Sequence, residues 1–247
     1  MPAALVSATA YGMTPTAPPP PELIIFDCDG VLVDSEPLSM RALIETLAAH
    51  GTPISLEQGY THFLGRSMAH LKATLRDVFH TELSPERLEE MRQRLYALFR
   101  SELKAMAGVA EVLPHLPFRS CVASSSEPNR IRLSLEIAGL LPFFDGNIYS
   151  ASMVRHGKPA PDLFLLAAER MGVAPERCVV IEDSPAGIEA AHRAGMRVLG
   201  FVGGAHAGVA GLERLIAALA PSVIFDDMRA LPSLLDTLTR SPGHGRA

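Results

Sequence analysis

Cysteine is scarce in this sequence, and its scarcity excludes two kinds of site. The 247 residues include three cysteines, Cys28, Cys121 and Cys178, which lie far apart and lack the spacing of a zinc site. A small, odd number of cysteines argues against a disulfide framework and for a reducing compartment. We therefore expect a cytoplasmic protein.

Long apolar runs and an excess of positive charge are also missing. No stretch is apolar for long enough to cross a bilayer, and the mildly apolar N-terminus lacks the basic start of a signal peptide. Lys and Arg number 22 against 27 Asp and Glu, for a formal net charge of -5. We expect no membrane and no nucleic acid among the partners. Without a coiled-coil pattern or a sustained apolar stripe, we also expect a monomer.

What the sequence does contain is a series of short apolar runs typical of buried parallel strands. Hydrophobic residues make up 48% of the chain, enough for one α/β core with a small accessory domain. Polar or Gly-rich residues and then a helical pattern follow most of the runs, which predicts a doubly wound parallel sheet. The predicted strands are Leu23–Phe26, Ser120–Ala123, Cys178–Ile181, Val198–Phe201 and Ser222–Phe225.

A long segment between the first two predicted strands has helical patterns and no convincing strand. One helix start within it is marked by Ser84 as N-cap and Pro85 at the first helical position. This pattern predicts a helical module inserted into the α/β core. Pro-rich and Gly-rich compositions predict disordered or extended tails at both ends. The predicted division is a tail 1–22, a core 23–37 and 105–240, a helical cap 38–104, and a tail 241–247.

The first predicted strand ends in two acids that surround a cysteine, in the segment Asp27-Cys28-Asp29-Gly30. In open α/β sheets the ligand site lies beyond the carboxyl ends of the strands. Two carboxylates there lose hydration and repel each other, and a bound cation relieves both effects. Oxygen ligands of this kind suit Mg²⁺. Taken alone, the segment fits a magnesium site and a solvated turn equally well.

Three further segments carry polar groups at or after strand ends. Ser124 and Ser125 follow the second strand and offer a hydroxyl and backbone N–H groups to an anion. Lys158, which precedes a proline, offers a fixed ammonium. Glu182 and Asp183 end another strand just before a helix start and are candidate metal ligands. Each has an ordinary structural explanation, but together the four segments argue against coincidence.

In this order the four segments resemble the motifs of the haloacid dehalogenase (HAD) superfamily. The resemblance covers about residues 23–230, and a helical insertion between the first two motifs is similar to that of the β-phosphoglucomutase-like branch. Within that branch the sequence resembles bacterial 6-phosphogluconate phosphatase-like proteins. The segments that match the superfamily motifs are Asp27-Cys28-Asp29-Gly30, Ser124, Gly157-Lys158-Pro159-Ala160-Pro161-Asp162 and Glu182-Asp183-Ser184. The stretches that resemble the 6-phosphogluconate phosphatase-like proteins are 26–36, 98–103 and 195–198.

The resemblance implies a Mg²⁺-dependent phosphatase for a small phosphate ester, such as a sugar phosphate or a sugar-acid phosphate like 6-phosphogluconate. Asp27 is then the nucleophile that becomes phosphorylated, and Asp29 is the general acid and base. The implied metal ligands are Asp27, the backbone carbonyl of Asp29, and Asp183. Glu182 is also expected at the metal, where it orients the metal shell. The residues expected to hold the substrate are Ser124, Ser125, Lys158 and, from the helical module, Arg66.

Three other functions stay open at this point. A β-phosphoglucomutase-like mutase uses the same phospho-aspartate, but family mutases carry a histidine where this chain has Ser39. A haloacid dehalogenase proper needs neither a metal nor the second aspartate, so Asp29 argues against it. A catalytically silent binding protein of the same fold is the third, and the intact catalytic positions argue against it. The nine histidines show no zinc pattern and receive no role.

Overall fold

Six parallel strands form one sheet in this computed structural model, which describes residues 19–64, 68–208 and 211–239. The strands are β1 (Leu23–Phe26), β2 (Arg119–Ser124), β3 (Ile148–Ser150), β4 (Cys178–Glu182), β5 (Arg197–Phe201) and β6 (Val223–Phe225). Their order in the sheet is β3-β2-β1-β4-β5-β6. The chain therefore winds outward from β1 to β3 and then returns to β4, so the order reverses beside β1. The predicted doubly wound α/β sheet is confirmed.

The predicted strands agree closely with those of the structure. The bounds of β1 are as predicted, and those of β2, β4, β5 and β6 differ by one residue at most. The strand β3 was not predicted. It spans three residues at the sheet edge and ends in the polar Ser150, so it presents no apolar run to find.

Helices cover both faces of the sheet and fill the segment between β1 and β2. They are α1 (Glu36–Ala49), α2 (Leu56–Phe63), α3 (Met68–Asp77), α4 (Pro85–Glu102), α5 (Val109–Val112), α6 (Pro128–Ile137), α7 (Leu141–Phe144), α8 (Asp162–Met171), α9 (Pro185–Arg193), α10 (Leu212–Ala218) and α11 (Leu231–Thr239). Ser84 and Ser184 cap α4 and α9 by accepting hydrogen bonds from the N–H groups of Arg87 and Gly187. In the described ranges, no helix is long and apolar enough to cross a bilayer.

Alternate residues of β1 enter two separate hydrophobic clusters, one on each face of the sheet. Leu23 and Ile25 pack with residues of α8 and α9, whereas Ile24 and Phe26 pack with residues of α6 and α11. All four side chains are buried, and each such burial stabilises the fold by about 1.5–3 kcal/mol. This two-sided burial explains why the strand reads as one continuous apolar run.

The helices α1, α2 and α3 share a hydrophobic cluster, and Met91 of α4 packs against it. It is formed by Met40, Leu43, Leu47, Ile54, Tyr60, Phe63 and Leu75. The last turns of α4 instead join the sheet's cluster through Leu95 and Phe99. The helical run from Glu36 to Glu102 lies close to the predicted module 38–104. Its separation as a domain stays a prediction.

The predicted N-terminal tail 1–22 is described from residue 19 onward. Residues 19–22 are held to the core: the N–H of Glu22 donates to the carbonyl of Arg177 at 2.8 Å, and the carbonyl of Pro19 accepts from Arg197 at 2.7 Å. Proline lacks an N–H group but keeps a carbonyl that accepts hydrogen bonds, so its presence did not exclude such contacts. Residues 1–18 and the predicted tail 241–247 lie outside the described residues.

Candidate active site

The candidate site lies at the carboxyl ends of β1 and β4, where the strand order reverses. Phe26 pairs with Ile181 across these two strands, and the N–H of Asp27 donates to the carbonyl of Ile181 at 3.0 Å. This register places Asp27 beside Glu182. Ligands of open α/β sheets bind in the crevice at such a reversal.

Lys158 bridges the acids that end these two strands. Its ammonium lies 2.7 Å from Oδ1 of Asp27 and 2.5 Å from Oε1 of Glu182, and its side chain is 4% exposed. Burial alone lowers the pKa of Lys158, but Asp27 and Glu182 outweigh burial and raise it above its usual range. The site therefore contains one fixed positive charge, which also lies 4.9 Å above the centre of the Phe164 ring.

Three buried acids lie close together at the carboxyl ends of β1 and β4. Asp27, Glu182 and Asp183 each offer an oxygen, and these oxygens all lie within 4.8 Å of one another. Burial raises the pKa of Asp27 well above its usual range, with Glu182 and Asp183 adding to the effect against the ammonium of Lys158. The pKa of Asp183 is raised in the same way, first by burial and then by the charge of Glu182. A divalent cation offsets both burial and repulsion, so these hard oxygen donors fit a divalent metal ion.

Glu182 is fixed by the start of α9. Its Oε2 accepts hydrogen bonds from the backbone N–H of Ser184 at 2.8 Å and from the Ser184 hydroxyl at 2.9 Å. A Cβ at position 187 would lie 1.8 Å from Oε1 of Glu182, so only glycine leaves room for this carboxylate. With Lys158 on its other oxygen, Glu182 is suited to orienting its neighbours.

The carboxylate of Asp29 lies outside the three-acid cluster and has its own partners. Ser35 and Ser126 donate to it at 2.6 Å each, and Arg130 donates at 2.9 Å. Burial alone raises the pKa of Asp29, but the charge of Arg130 and these hydrogen bonds together lower it below its usual range. Asp29 is therefore ionised in this arrangement.

Sequence reasoning missed Arg130, although it ties Asp29 to the helical insertion. The same Nη2 that binds Asp29 also donates to the hydroxyl of Ser39 on α1, at 3.2 Å. The guanidinium carbon lies 5.4 Å from the centre of the Phe99 ring on α4. An arginine in the first turn of α6 has no distinctive sequence pattern, and only the packing of α1, α4 and α6 reveals its place.

His206, one of the histidines to which no role was assigned from the sequence, lies against Asp183. This residue follows β5, is 2% exposed, and has its Nε2 2.9 Å from Oδ2 of Asp183. Burial lowers the pKa of His206 below its usual range, which favours the neutral ring. His206 lacks the spacing of a metal-binding histidine, so its own sequence context does not predict this contact. The nearest sequence signal was the predicted flexible loop at Gly203-Gly204.

A family comparison identifies the chain. Residues 21–195 match the model of the haloacid dehalogenase-like hydrolases. The chain belongs to this family. It is 30% identical to the 6-phosphogluconate phosphatase of Escherichia coli over 186 residues, which are 75% of this chain and 84% of that protein. It is 33% identical to the phosphorylated carbohydrates phosphatase of Thermotoga maritima over 217 residues, 84% of this chain and 98% of that protein.

A solved structure supports the same membership. A HAD family hydrolase from Deinococcus radiodurans, with bound phosphate and sodium, is 33% identical and has a TM-score of 0.71. The match covers 91% of this chain and all of that one. The resemblance predicted from the four motifs is confirmed, and so is the prediction that the chain is an enzyme.

The structure of this HAD-like hydrolase brings four of the predicted site residues together, Asp27, Lys158, Glu182 and Asp183. Ser124 is buried at the end of β2 and its hydroxyl accepts from the N–H of Ser126 at 3.1 Å. Ser125 lies exposed on the loop that follows. Arg66, predicted to contact the substrate, lies outside the described residues.

Proposed function

We propose that this HAD-like hydrolase is a Mg²⁺-dependent phosphatase that transfers a phosphoryl group from a small metabolite to Asp27 and then to water. One observation supports this most strongly: the carboxylate of Asp27 shares one buried cluster with Glu182, Asp183 and the ammonium of Lys158. A carboxylate nucleophile held beside a fixed cation suits attack on an anionic phosphate.

In the first step an oxygen of Asp27 attacks the phosphorus, and the bond from phosphorus to the ester oxygen breaks. Asp29 gives its proton to the departing oxygen. In the second step Asp29 takes a proton from a water molecule, and the water oxygen attacks the phosphorus. The bond from phosphorus to Asp27 breaks, which releases inorganic phosphate and restores Asp27. Because its low pKa leaves Asp29 ionised at rest, Asp29 must take up a proton from solvent before the first step.

Asp27, Asp183 and the backbone carbonyl of Asp29 would hold Mg²⁺, and Glu182 would orient this group through Lys158 and the start of α9. When bound, the cation offsets the repulsion between a carboxylate nucleophile and a phosphate ester. Lys158, the Ser124 hydroxyl and the backbone after Ser124 would hold the phosphoryl oxygens.

The substrate we propose is a sugar phosphate or a sugar-acid phosphate. The relatives in Escherichia coli and Thermotoga maritima are named for 6-phosphogluconate and for phosphorylated carbohydrates, and the Deinococcus structure contains phosphate. We propose that the helices of residues 38–104 act as a cap that excludes water during turnover. In support, Leu64 at the end of α2 packs against the hydrophobic cluster on the α8 side of the sheet. Arg66, two positions after Leu64 in the sequence, stays a proposed substrate contact.

A mutase is less well supported than a phosphatase. The position of the mutase histidine is Ser39, whose hydroxyl accepts a hydrogen bond from Arg130. A serine hydroxyl is a poor general base near neutral pH. Glucose 1-phosphate distinguishes the two activities: a phosphatase releases free phosphate from it, and a mutase converts it to glucose 6-phosphate. A cytoplasmic location and a monomeric state stay predictions.

The proposal is tested by a phosphate-release screen of phosphorylated sugars, sugar acids and polyols with Mg²⁺. We expect release from at least one class in wild type and essentially none from Asp27→Asn, because an amide is a poor nucleophile. Asp145→Asn is the matched control, since Asp145 is exposed and pairs only with the exposed Arg132 among the described residues. No release from the whole panel by folded wild type would contradict the proposal.

A further inference from the structure

We propose that His206 is a positioning residue that holds the carboxylate of Asp183 in the orientation needed to bind a divalent cation. This inference rests on the proposed function, because it treats Asp183 as a metal ligand. Nitrogen-bearing partners of this kind commonly fix the direction of a ligating carboxylate and so preserve metal affinity.

The contact is direct and buried. Nε2 of His206 lies 2.9 Å from Oδ2 of Asp183, and the two side chains are 3% and 9% exposed. When Asp183 is ionised, as a metal ligand must be, its oxygen only accepts hydrogen bonds and Nε2 is the donor. Contacts of this length between buried groups restrict rotation of both partners.

Two glycines leave the space that the imidazole ring fills. A Cβ on Gly204 would lie 2.5 Å from Cε1 of His206. A Cβ on Gly30 would lie 3.1 Å from the same atom and 2.0 Å from Oδ2 of Asp183. The loop after the catalytic strand β1 and the loop after β5 therefore both make room for this one contact.

The other ring nitrogen shows that the contact is not simple core packing. Among the described residues, Nδ1 of His206 is buried without a hydrogen-bond partner. An unpaired buried nitrogen reduces stability, so an apolar side chain would fill the same space at less cost. The acids Asp34, in the first loop, and Glu36, at the start of α1, face the ring, but Asp183 is the acid within hydrogen-bond distance. Binding Asp183 is therefore the polar function that the ring performs.

Two amide variants separate the role of Nε2 from that of the ring as a whole. His206→Gln can place its amide nitrogen near the position of Nε2, whereas His206→Asn places it near Nδ1 and cannot reach Asp183. Binding of Mg²⁺ is measured by titration calorimetry on enzyme freed of metal with EDTA, without substrate. We expect H206N to weaken Mg²⁺ binding by about 10–100-fold and H206Q to stay within about threefold of wild type.

The controls make the outcome decisive. D183N should lose Mg²⁺ binding, and melting in EDTA reports whether each variant folds. Wild-type affinity in H206N overturns the inference, and so does an equal loss in H206N and H206Q. Should H206N fail to fold, H206Q alone decides, because a loss above about tenfold contradicts a role for the Nε2 donor.

The same measurements distinguish this inference from the proposed function. Wild type that binds Mg²⁺ but releases no phosphate contradicts the phosphatase alone. Wild type that releases phosphate while H206N binds Mg²⁺ normally contradicts the role of His206 alone. Wild type that binds no Mg²⁺ contradicts both.

Discussion

Arg130 donates a 2.9 Å hydrogen bond to Asp29, although 101 positions separate the two residues in the chain. Through Ser39 and Phe99 the same guanidinium also contacts the first and last helices of the insertion. The proposed acid and base is therefore held by a side chain that touches both the core and the helical insertion. A movement of these helices would change the partners of Asp29.

Replacing Arg130 tests whether this contact serves catalysis. We expect Arg130→Leu to lower kcat by about 10–100-fold with little change in KM, because Asp29 loses its orientation while Ser124 and Lys158 still hold the phosphate. Arg130→Lys should recover part of kcat, since it keeps the charge but loses the planar fork. Steady-state kinetics on the best substrate of the screen measures both constants.

The control for Arg130 is Arg132→Leu on the same helix. Arg132 is exposed and lies 3.4 Å from Asp145, so its loss should leave kcat unchanged. A purely structural role for Arg130 would appear as a lower melting temperature with normal kcat in R130L, and that result would contradict the catalytic role.

Lys158→Met tests the buried ammonium. Removal of the positive charge should lower kcat/KM by about 10²–10³-fold, because the phosphoryl oxygens lose a fixed cation. In EDTA it should also lower the free energy of unfolding by about 3–5 kcal/mol, since Asp27 and Glu182 are left buried without their partner. Urea denaturation and phosphate release measure the two effects. Lys104→Met, an exposed lysine, should change neither, and near-normal activity in K158M would exclude the proposed role.

Gly187→Ala tests the fixation of Glu182. Alanine normally stabilises a helix relative to glycine by up to about 1 kcal/mol. Here we expect the opposite sign, because the new Cβ would meet the carboxylate of Glu182 at 1.8 Å. Both the urea midpoint and kcat should fall. Gly208→Ala is the matched control, since a Cβ there has nothing within 4 Å; equal behaviour of the two variants would show that Glu182 moves freely.

Glu36 should make stability depend on pH. Burial, with help from the charges of Asp29 and Asp183, raises the pKa of Glu36 to about 7. Because the folded-state pKa exceeds the usual value, the stabilisation from protonated Glu36 is complete below about pH 4.5 and is lost as pH rises through about 7. Glu36→Gln, measured in EDTA, should therefore raise the free energy of unfolding by about 1–2 kcal/mol at pH 8 and little at pH 4.5.

Melting curves at the two pH values check this prediction, and the exposed Glu57→Gln serves as control. A pH-independent effect of E36Q would show that Glu36 titrates normally in the folded protein.

The sheet could be predicted because burial on both faces leaves a simple signature. A run such as Cys178–Ile181 is apolar throughout and is followed by acids and a capped helix, so its position follows from the sequence. The edge strand β3 has no such signature, and pairing with β2 decides its conformation. The attachment of residues 19–22 also depends on distant partners, Arg177 and Arg197, that no local pattern reveals.

The site could be predicted only as far as strand ends converge. Asp27, Lys158 and Asp183 were found because polar groups that end or follow parallel strands meet at one sheet edge. Arg130 and His206 were missed because a helix surface and a loop bring them in, and neither residue type is unusual at such places. Their importance comes from contacts over long sequence separations, which physical packing sets and local composition does not.

Phosphorylation of Asp27 during turnover is tested most directly by rapid acid quench. Wild type is mixed with the best phosphate ester of the screen, labelled with ³²P in its phosphoryl group, and the labelled peptide is identified by mass spectrometry. We predict label on the peptide that contains Asp27, loss of that label when turnover continues, and none in Asp27→Asn. Label on another residue, or wild-type phosphate release by Asp27→Asn, would contradict a phospho-aspartate at this position.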